Sequence, residues 1–357
     1  MTTSATAASP NSAFYQYEPL DATEQQIRLI RLLKVSGSPI HTCEISSFGL
    51  NEVPPYVALS YTWDDEAAPK GLVSLNGCPI AIGQALCDFF DHIQASDIET
   101  LDLWLWIDQL CINQANVLEK NHQIPLMSAI YSRCHYVIAW LGTEYKGIHD
   151  LVNRRYFTRL WIVQEVLLAP RVRIMCGTAI FEKSDFKDIL YLPDSGPVLK
   201  LRDDIPPATI LILVGISHGT EDRGLGRYMS FYSQQECKDP RDKVYGLLGL
   251  VQSEHVPTVD YSKSLIEVFA DAVKALHDEY WMQSTGYSDG IAEFLLPTRK
   301  RAPEYTLIGS DMQVDRDVLN CVEEHLEDLK RFPHDDAWFR WLLEALVYHD
   351  LYYNGSG

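Results

Sequence analysis

The chain has 357 residues, 46% hydrophobic and 22% charged, the composition of a folded protein of about two units by a prior of roughly 150 residues each. Its formal net charge of −19 repels polyphosphate and anionic lipid, which argues against nucleic-acid binding and membrane docking. Eight cysteines with no Cys-x-x-Cys pair predict buried, reduced thiols; no apolar run reaches the ~18 residues of a spanning helix, and Met1–Asn11 lacks the basic start of a signal peptide, so a cytoplasmic protein is expected.

Residues 1–13, rich in Ser, Thr and Ala, read as a disordered leader. Strands are expected at Ile27–Val35 and at Tyr56–Trp63, where aromatic and β-branched residues concentrate. Asn76-Gly77 between apolar flanks predicts a tight hairpin. Leu86, Phe89, Phe90 and Ile93 then recur at helical spacing. The run "LDLWLWID" reads as a strand covered on both faces and ending at Asp108, as in a parallel sheet. A helix through Ile124, Met127, Ile130 and Tyr131 follows, with Pro125 expected in its first turn. Tyr136–Gly142 reads as a strand, residues 154–169 as one helix, and "RVRIMCG" as a strand. The first ~180 residues thus alternate β and α, which predicts an α/β sandwich with helices on both faces of the sheet.

From residue 191 onward helices dominate: one opened by Asp239-Pro240, one at "SLIEVFADAVKALHDEYW", then Val314–Phe332 and Asp336–Tyr353. The expected organisation is a leader at 1–13, an α/β domain at 14–190 and a mainly helical region at 191–357. Gly355-Ser356-Gly357 reads as a cut point, so a natural C-terminal continuation is expected.

Four segments carry a resemblance: "YVALSYTWDD", "LWIDQLCINQANVLEKNHQIPLMSAIYSRCHYVIAWLG", "RRYFTRLWIVQEVLLA", and "DPRDKVYGLLGL" with "VDYSKSLIEVF". In this order they resemble the heterokaryon-incompatibility (HET) domain of filamentous fungi, over roughly residues 27 to 270. Asp64, where the family more often has Gly, and Pro125 are departures. HET domains are in turn similar to Toll/interleukin-receptor (TIR) domains, which implies a flavodoxin-like parallel sheet flanked by helices. "RLWIVQEV" stands where the TIR pattern has Trp and Glu four residues apart; here they are Trp161 and Glu165. In TIR proteins that cleave NAD that Glu is catalytic. The resemblance therefore implies an effector of heterokaryon incompatibility and programmed cell death that self-associates, engages further protein partners and takes NAD as a substrate, with no resident cofactor.

For each residue a chemical and a structural reading stand side by side. A carboxylate at Glu165 can stabilise the oxocarbenium-like state of nicotinamide–ribose cleavage, or can serve as a structural partner of Arg154, Arg155 or Arg159. Asp108 can hold a ribose or cap Cys111 or Ile112. Trp63 can stack on a base or simply pack; Ser60 and Tyr61 share its strand, and Trp161 shares the expected helix of Glu165. Asn113 and Gln114 contact a ligand or form a turn. Arg154, Arg155 and Arg159 meet a pyrophosphate as forked donors or form a solvated helix face. The mechanism requires that the strand tips gather Tyr61, Asp108 and Glu165 around one cleft. The eleven His residues form no metal-ligand pattern, so no metal is expected. The competing classes are a non-enzymatic interaction module and an accessory enzyme of secondary metabolism, the last requiring a deep apolar pocket.

Overall fold

The computed structural model describes residues 14–34, 40–65, 67–95, 103–190, 205–214, 224–232, 235–252 and most of 256–275. These fall into two units, one within Met1–Phe157 and Glu165–Val214, the other within Thr158–Gln164 and Gly215–Gly357.

The first unit is built on a nine-stranded sheet. In chain order its elements are β1 (Gln26–Leu33), β2 (His41–Gly49), β3 (Tyr56–Tyr61), β4 (Lys70–Leu75), β5 (Cys78–Gly83), α1 (Gln84–Ala95), β6 (Trp104–Trp106), α2 (Asp108–Cys111), α3 (Val117–Arg133), β7 (Tyr136–Trp140), α4 (Ile148–Val152), α5 (Ile162–Leu167), β8 (Val172–Cys176), β9 (Ala179–Glu182), α6 (Lys183–Leu190) and α7 (Pro207–Val214). Of α5, only the part from Glu165 onward belongs to this unit. The strands lie in the order β5-β4-β2-β1-β6-β3-β7-β8-β9. The run β6-β3-β7-β8 is parallel, as is β2 with β4, while β1–β2, β1–β6, β4–β5 and β8–β9 are antiparallel. The expected flavodoxin-like parallel sheet is therefore a mixed one. Its parallel order is confined to the centre, where β3 and β7 are buried at every residue because helices cover both faces.

Side-chain alternation assigns the faces. Trp140, the register partner of Tyr61, meets Phe89 and His92 of α1 at centroid distances of 5.8 and 5.0 Å. Trp106, the partner of Ala58, meets Tyr131 of α3 at 5.3 Å. Ala58 and Tyr61 are an odd number of residues apart, so α1 and α3 lie on opposite faces.

Several expectations are met locally. Asn76 and Gly77 take φ of 47° and 86° between β4 and β5, as a tight hairpin requires. In α1, Leu86, Phe89, Phe90 and Ile93 form the buried stripe. Others shift. β3 stops at Tyr61 and β6 has only Trp104–Trp106, so Asp108 opens a short helix instead of ending a strand. α3 begins at Val117, with the Asn116 side chain accepting from Glu119 N, which leaves Pro125 inside the helix and not in its first turn. The helix expected over 154–169 is broken: a 3-10 turn at Arg155–Thr158 precedes α5. β2 and β9 are additional strands.

In the second unit, α8 (Leu225–Tyr232) and α9 (Asp242–Leu248) are helical, as are the described residues between 265 and 275. The leader and the helices expected at Val314–Phe332 and Asp336–Tyr353 lie outside the described residues. Among the described residues, no helix is long and apolar enough to cross a membrane.

Candidate functional site

The carboxyl ends of parallel strands are where α/β sheets take their ligands, because the strand-to-helix loops converge there. Ser60, the penultimate residue of β3, is 1% exposed. Its Oγ donates a short hydrogen bond to Glu165 Oε2 and lies 2.6 Å from the Tyr156 hydroxyl. Glu165 and Tyr156 are 1% and 2% exposed, so the three side chains meet in the interior of the domain. Tyr156 also meets the Phe157 ring edge-on at 5.0 Å.

Tyr61, next in the chain, points to the other face by strand alternation. Its hydroxyl donates to Gln109 Oε1 at 2.7 Å. The loop beyond β3 then brings Trp63 to Asp108, whose two carboxylate oxygens accept from the indole Nε1 at 3.2 and 3.1 Å. Asp108 Oδ1 also accepts from Gln109 N at 2.7 Å, and the Asp108 carbonyl accepts from Gln114 Nε2 at 2.9 Å. Of the expected capping of Cys111 or Ile112 by Asp108, the Ile112 contact forms through the Asp108 carbonyl at 3.2 Å, while Cys111 N bonds the Ile107 carbonyl, because α2 closes its own turn. Where Tyr61, Asp108 and Glu165 are expected around one cleft, the side-chain hydrogen bonds link residues in two groups. Ser60, Tyr156 and Glu165 form one; Tyr61, Gln109, Asp108 and Trp63 form the other. Consecutive strand residues cannot serve the same face.

Asn113 has a local role. Its Oδ1 accepts from Ala115 N at 3.2 Å, and its own N–H donates to Glu119 Oε1 at 2.7 Å. Glu119 in turn receives Nη1 and Nη2 of Arg28, buried from 91 residues away, at 2.6 and 3.1 Å. Arg28 also donates to the Cys111 and Glu18 carbonyls at 3.0 and 2.6 Å. The Asp108–Asn116 loop is thereby fixed from beneath by an ion pair whose N-terminal partner carries no local signal in the sequence.

The three arginines separate. Arg154 donates to the Leu141 and Glu144 carbonyls and to Asp150, holding the loop after β7; its guanidinium keeps the Asp150 carboxyl below the usual range. Arg155 pairs with Asp65 at 3.3 Å, both well exposed. Arg159 belongs to the second unit, where its backbone bridges Glu236. Trp161 belongs there too: its Nε1 donates to Asp242 Oδ2 at 3.0 Å, while Tyr261 donates to Asp242 Oδ1 at 2.6 Å. Trp161 precedes α5, so the pair expected on one helical face is divided between two environments. Arg241 pairs with its near neighbour Asp239 at 2.6 Å. Asp64, the departure at a usual Gly position, accepts from Ala85 N at 3.0 Å and so caps the start of α1.

Tyr156, Gln109 and Arg28 are the participants that sequence reasoning missed. Tyr156 sits between an arginine and a phenylalanine with no motif of its own. Among the described residues no cluster of His, Cys, Asp and Glu is placed to hold a metal, and the described cysteines are free thiols.

Residues 56–147 match the family model described as heterokaryon incompatibility protein (HET), a span that includes Ser60, Tyr61, Trp63, Asp108 and Asn113 and stops before Tyr156 and Glu165. The chain is 25% identical over 358 residues to heterokaryon incompatibility protein 6, OR allele, of Neurospora crassa, covering 71% of this chain and 52% of that protein. It thus spans about half the length of that relative. No solved structure matches it. The block from β3 through the loop after β7 is therefore the part of this chain that is similar to the HET family, and the similarity to the Neurospora crassa protein extends beyond it.

Proposed function

We propose that this chain acts in heterokaryon incompatibility as an effector of programmed cell death, and that it hydrolyses NAD once self-association opens the site. The observation that carries this reading is the position of Glu165. It meets Ser60 at the carboxyl end of the central parallel strand, the end at which α/β sheets generally take ligands, and this supports a chemical role.

In the proposed reaction the C–N bond between nicotinamide and ribose breaks, and nicotinamide leaves with the bonding electrons. Glu165 stabilises the oxocarbenium-like carbon, water supplies hydroxide to it, and a proton is released, giving nicotinamide and ADP-ribose. Asp108, after the adjacent strand β6, and Trp63, after β3 itself, are the candidates for ribose and ring contacts; in the resting chain they bond each other and not Glu165, so the same opening must bring the two groups to one substrate. Glu165 is 1% exposed in the resting chain, so opening must precede binding; that is the step assigned to self-association.

The same burial favours a second reading, a non-enzymatic interaction module in which Glu165 is structural. Concentrated protein incubated with NAD and assayed for free nicotinamide separates the two. Release by the wild type that is lost in Glu165→Gln supports hydrolysis. Release that survives the substitution removes Glu165 from the chemistry, and no release even from forced oligomers leaves the interaction module.

A further inference from the structure

The hydroxyl of Ser60 has one proton and two oxygen neighbours, Glu165 Oε2 and the Tyr156 hydroxyl. When Glu165 is ionised it has no proton to give, so the Ser60 proton goes to it. The Tyr156 hydroxyl, at 2.6 Å, must then donate to Ser60 Oγ. All three side chains are at most 2% exposed, so bulk water offers no competing partner and each bond is strengthened by the low local dielectric.

From this geometry we infer that Tyr156 and Ser60 are positioning residues, a two-hydroxyl relay running Tyr156 to Ser60 to Glu165 that fixes the orientation of the Glu165 carboxylate. Ser60 therefore serves the carboxylate and not a substrate. The relay brings together residues 60, 156 and 165, of which the last two lie outside the family match. Its function depends on the proposed role of Glu165, but its existence does not.

The test uses the full chain and two readouts. The first is the infrared carboxylate stretch of Glu165, isolated as a difference spectrum between wild type and Glu165→Gln. Tyr156→Phe is expected to shift that band, because Ser60 loses the donor that polarises its own O–H. In a Ser60→Ala background the same Tyr156→Phe change is expected to do nothing further. The second readout is nicotinamide release, where Tyr156→Phe lowers kcat by about tenfold, the scale of one net hydrogen bond, with KM unchanged. Fluorotyrosine in place of Tyr156, a stronger donor of nearly the same shape, shifts the band in the opposite direction and covers the case in which Tyr156→Phe does not fold. A Glu165 band unmoved by either change at Tyr156, or moved equally with and without Ser60, overturns the relay. A wild type that releases no nicotinamide overturns NAD hydrolysis instead, while the infrared arm still decides the relay.

Discussion

Arg28 and Glu119, separated by 91 residues, form a forked ion pair in which the side chains are 2% and 7% exposed. Its fork leaves neither charge alone. Glu119 also accepts from Asn113 N, and Arg28 satisfies two backbone carbonyls and lies 4.8 Å from the Tyr17 ring centroid. Removing either partner strands the other in a low-dielectric interior. Arg28→Met or Glu119→Gln is therefore expected to destabilise the domain by about 3–5 kcal/mol, measured by chemical denaturation. Arg28→Lys rescues only in part, since a single ammonium cannot reproduce the fork. A loss below about 1 kcal/mol, the range of an exposed pair, would show that the pair is not shielded.

Gly77 and Gly177 make a matched comparison. Both have positive φ, 86° and 55°, but a Cβ at Gly77 meets nothing within 4 Å, whereas at Gly177 it would lie 2.5 Å from the Thr143 carbonyl oxygen. Gly77→Ala should cost only backbone strain, about 1 kcal/mol. Gly177→Ala adds a collision with backbone that cannot swing away and should cost about 2–4 kcal/mol, visible as the larger fall in thermal midpoint. Equal losses at the two positions would refute the distinction.

Pro125 lies inside α3 and is exposed. A proline there removes an N–H from the helical ladder and crowds the preceding turn. Pro125→Ala restores the donor without disturbing buried packing and is expected to raise stability by about 1–3 kcal/mol. Unchanged or reduced stability would mean that the helix is shaped around the proline.

Burial pushes the thiols of Cys43, Cys111 and Cys134 up to about 12, from an ordinary value of 9.0. The folded chain holds these protons while the unfolded chain releases them, so their contribution to stability is complete below pH 9 and is lost as pH rises from 9 towards 12. Two measurements check this. Alkylation of these thiols in the folded protein at pH 8 should be far slower than in denaturant, and stability should fall on alkaline titration more steeply in the wild type than in a Cys43→Ala, Cys134→Ala variant. Ready alkylation of the native chain at pH 8 would contradict their seclusion.

Local order is readable from the chain because its causes are local. Short runs rich in aromatic and aliphatic residues made β3 and β7 legible, the spacing of Leu86, Phe89, Phe90 and Ile93 made α1 legible, and Asn76-Gly77 announced its hairpin through the φ values it tolerates. The HET motif was legible for the same reason, since it is contiguous. The helix expected over 154–169 shows the limit. Its apolar spacing is helical, yet the backbone of Leu160 bonds the Glu236 carbonyl, 76 residues away, and that distant partner breaks the run.

By itself, the sequence determined β3, β7, the β4–β5 hairpin and the buried stripe of α1, and singled out the candidate carboxylate Glu165 and the HET-like block. Tertiary structure alone decided that β1 inserts antiparallel beside β6, that Ser60 and not Tyr61 meets Glu165, and that Arg28 secures the Asp108–Asn116 loop. The reason is one of range. Periodicity and turn chemistry act over a few residues, whereas hydrogen bonds between residues 28 and 119 or 60 and 165 exist only after the sheet has chosen its strand order, and the alternation of side chains across that sheet then settles which neighbours can share a face.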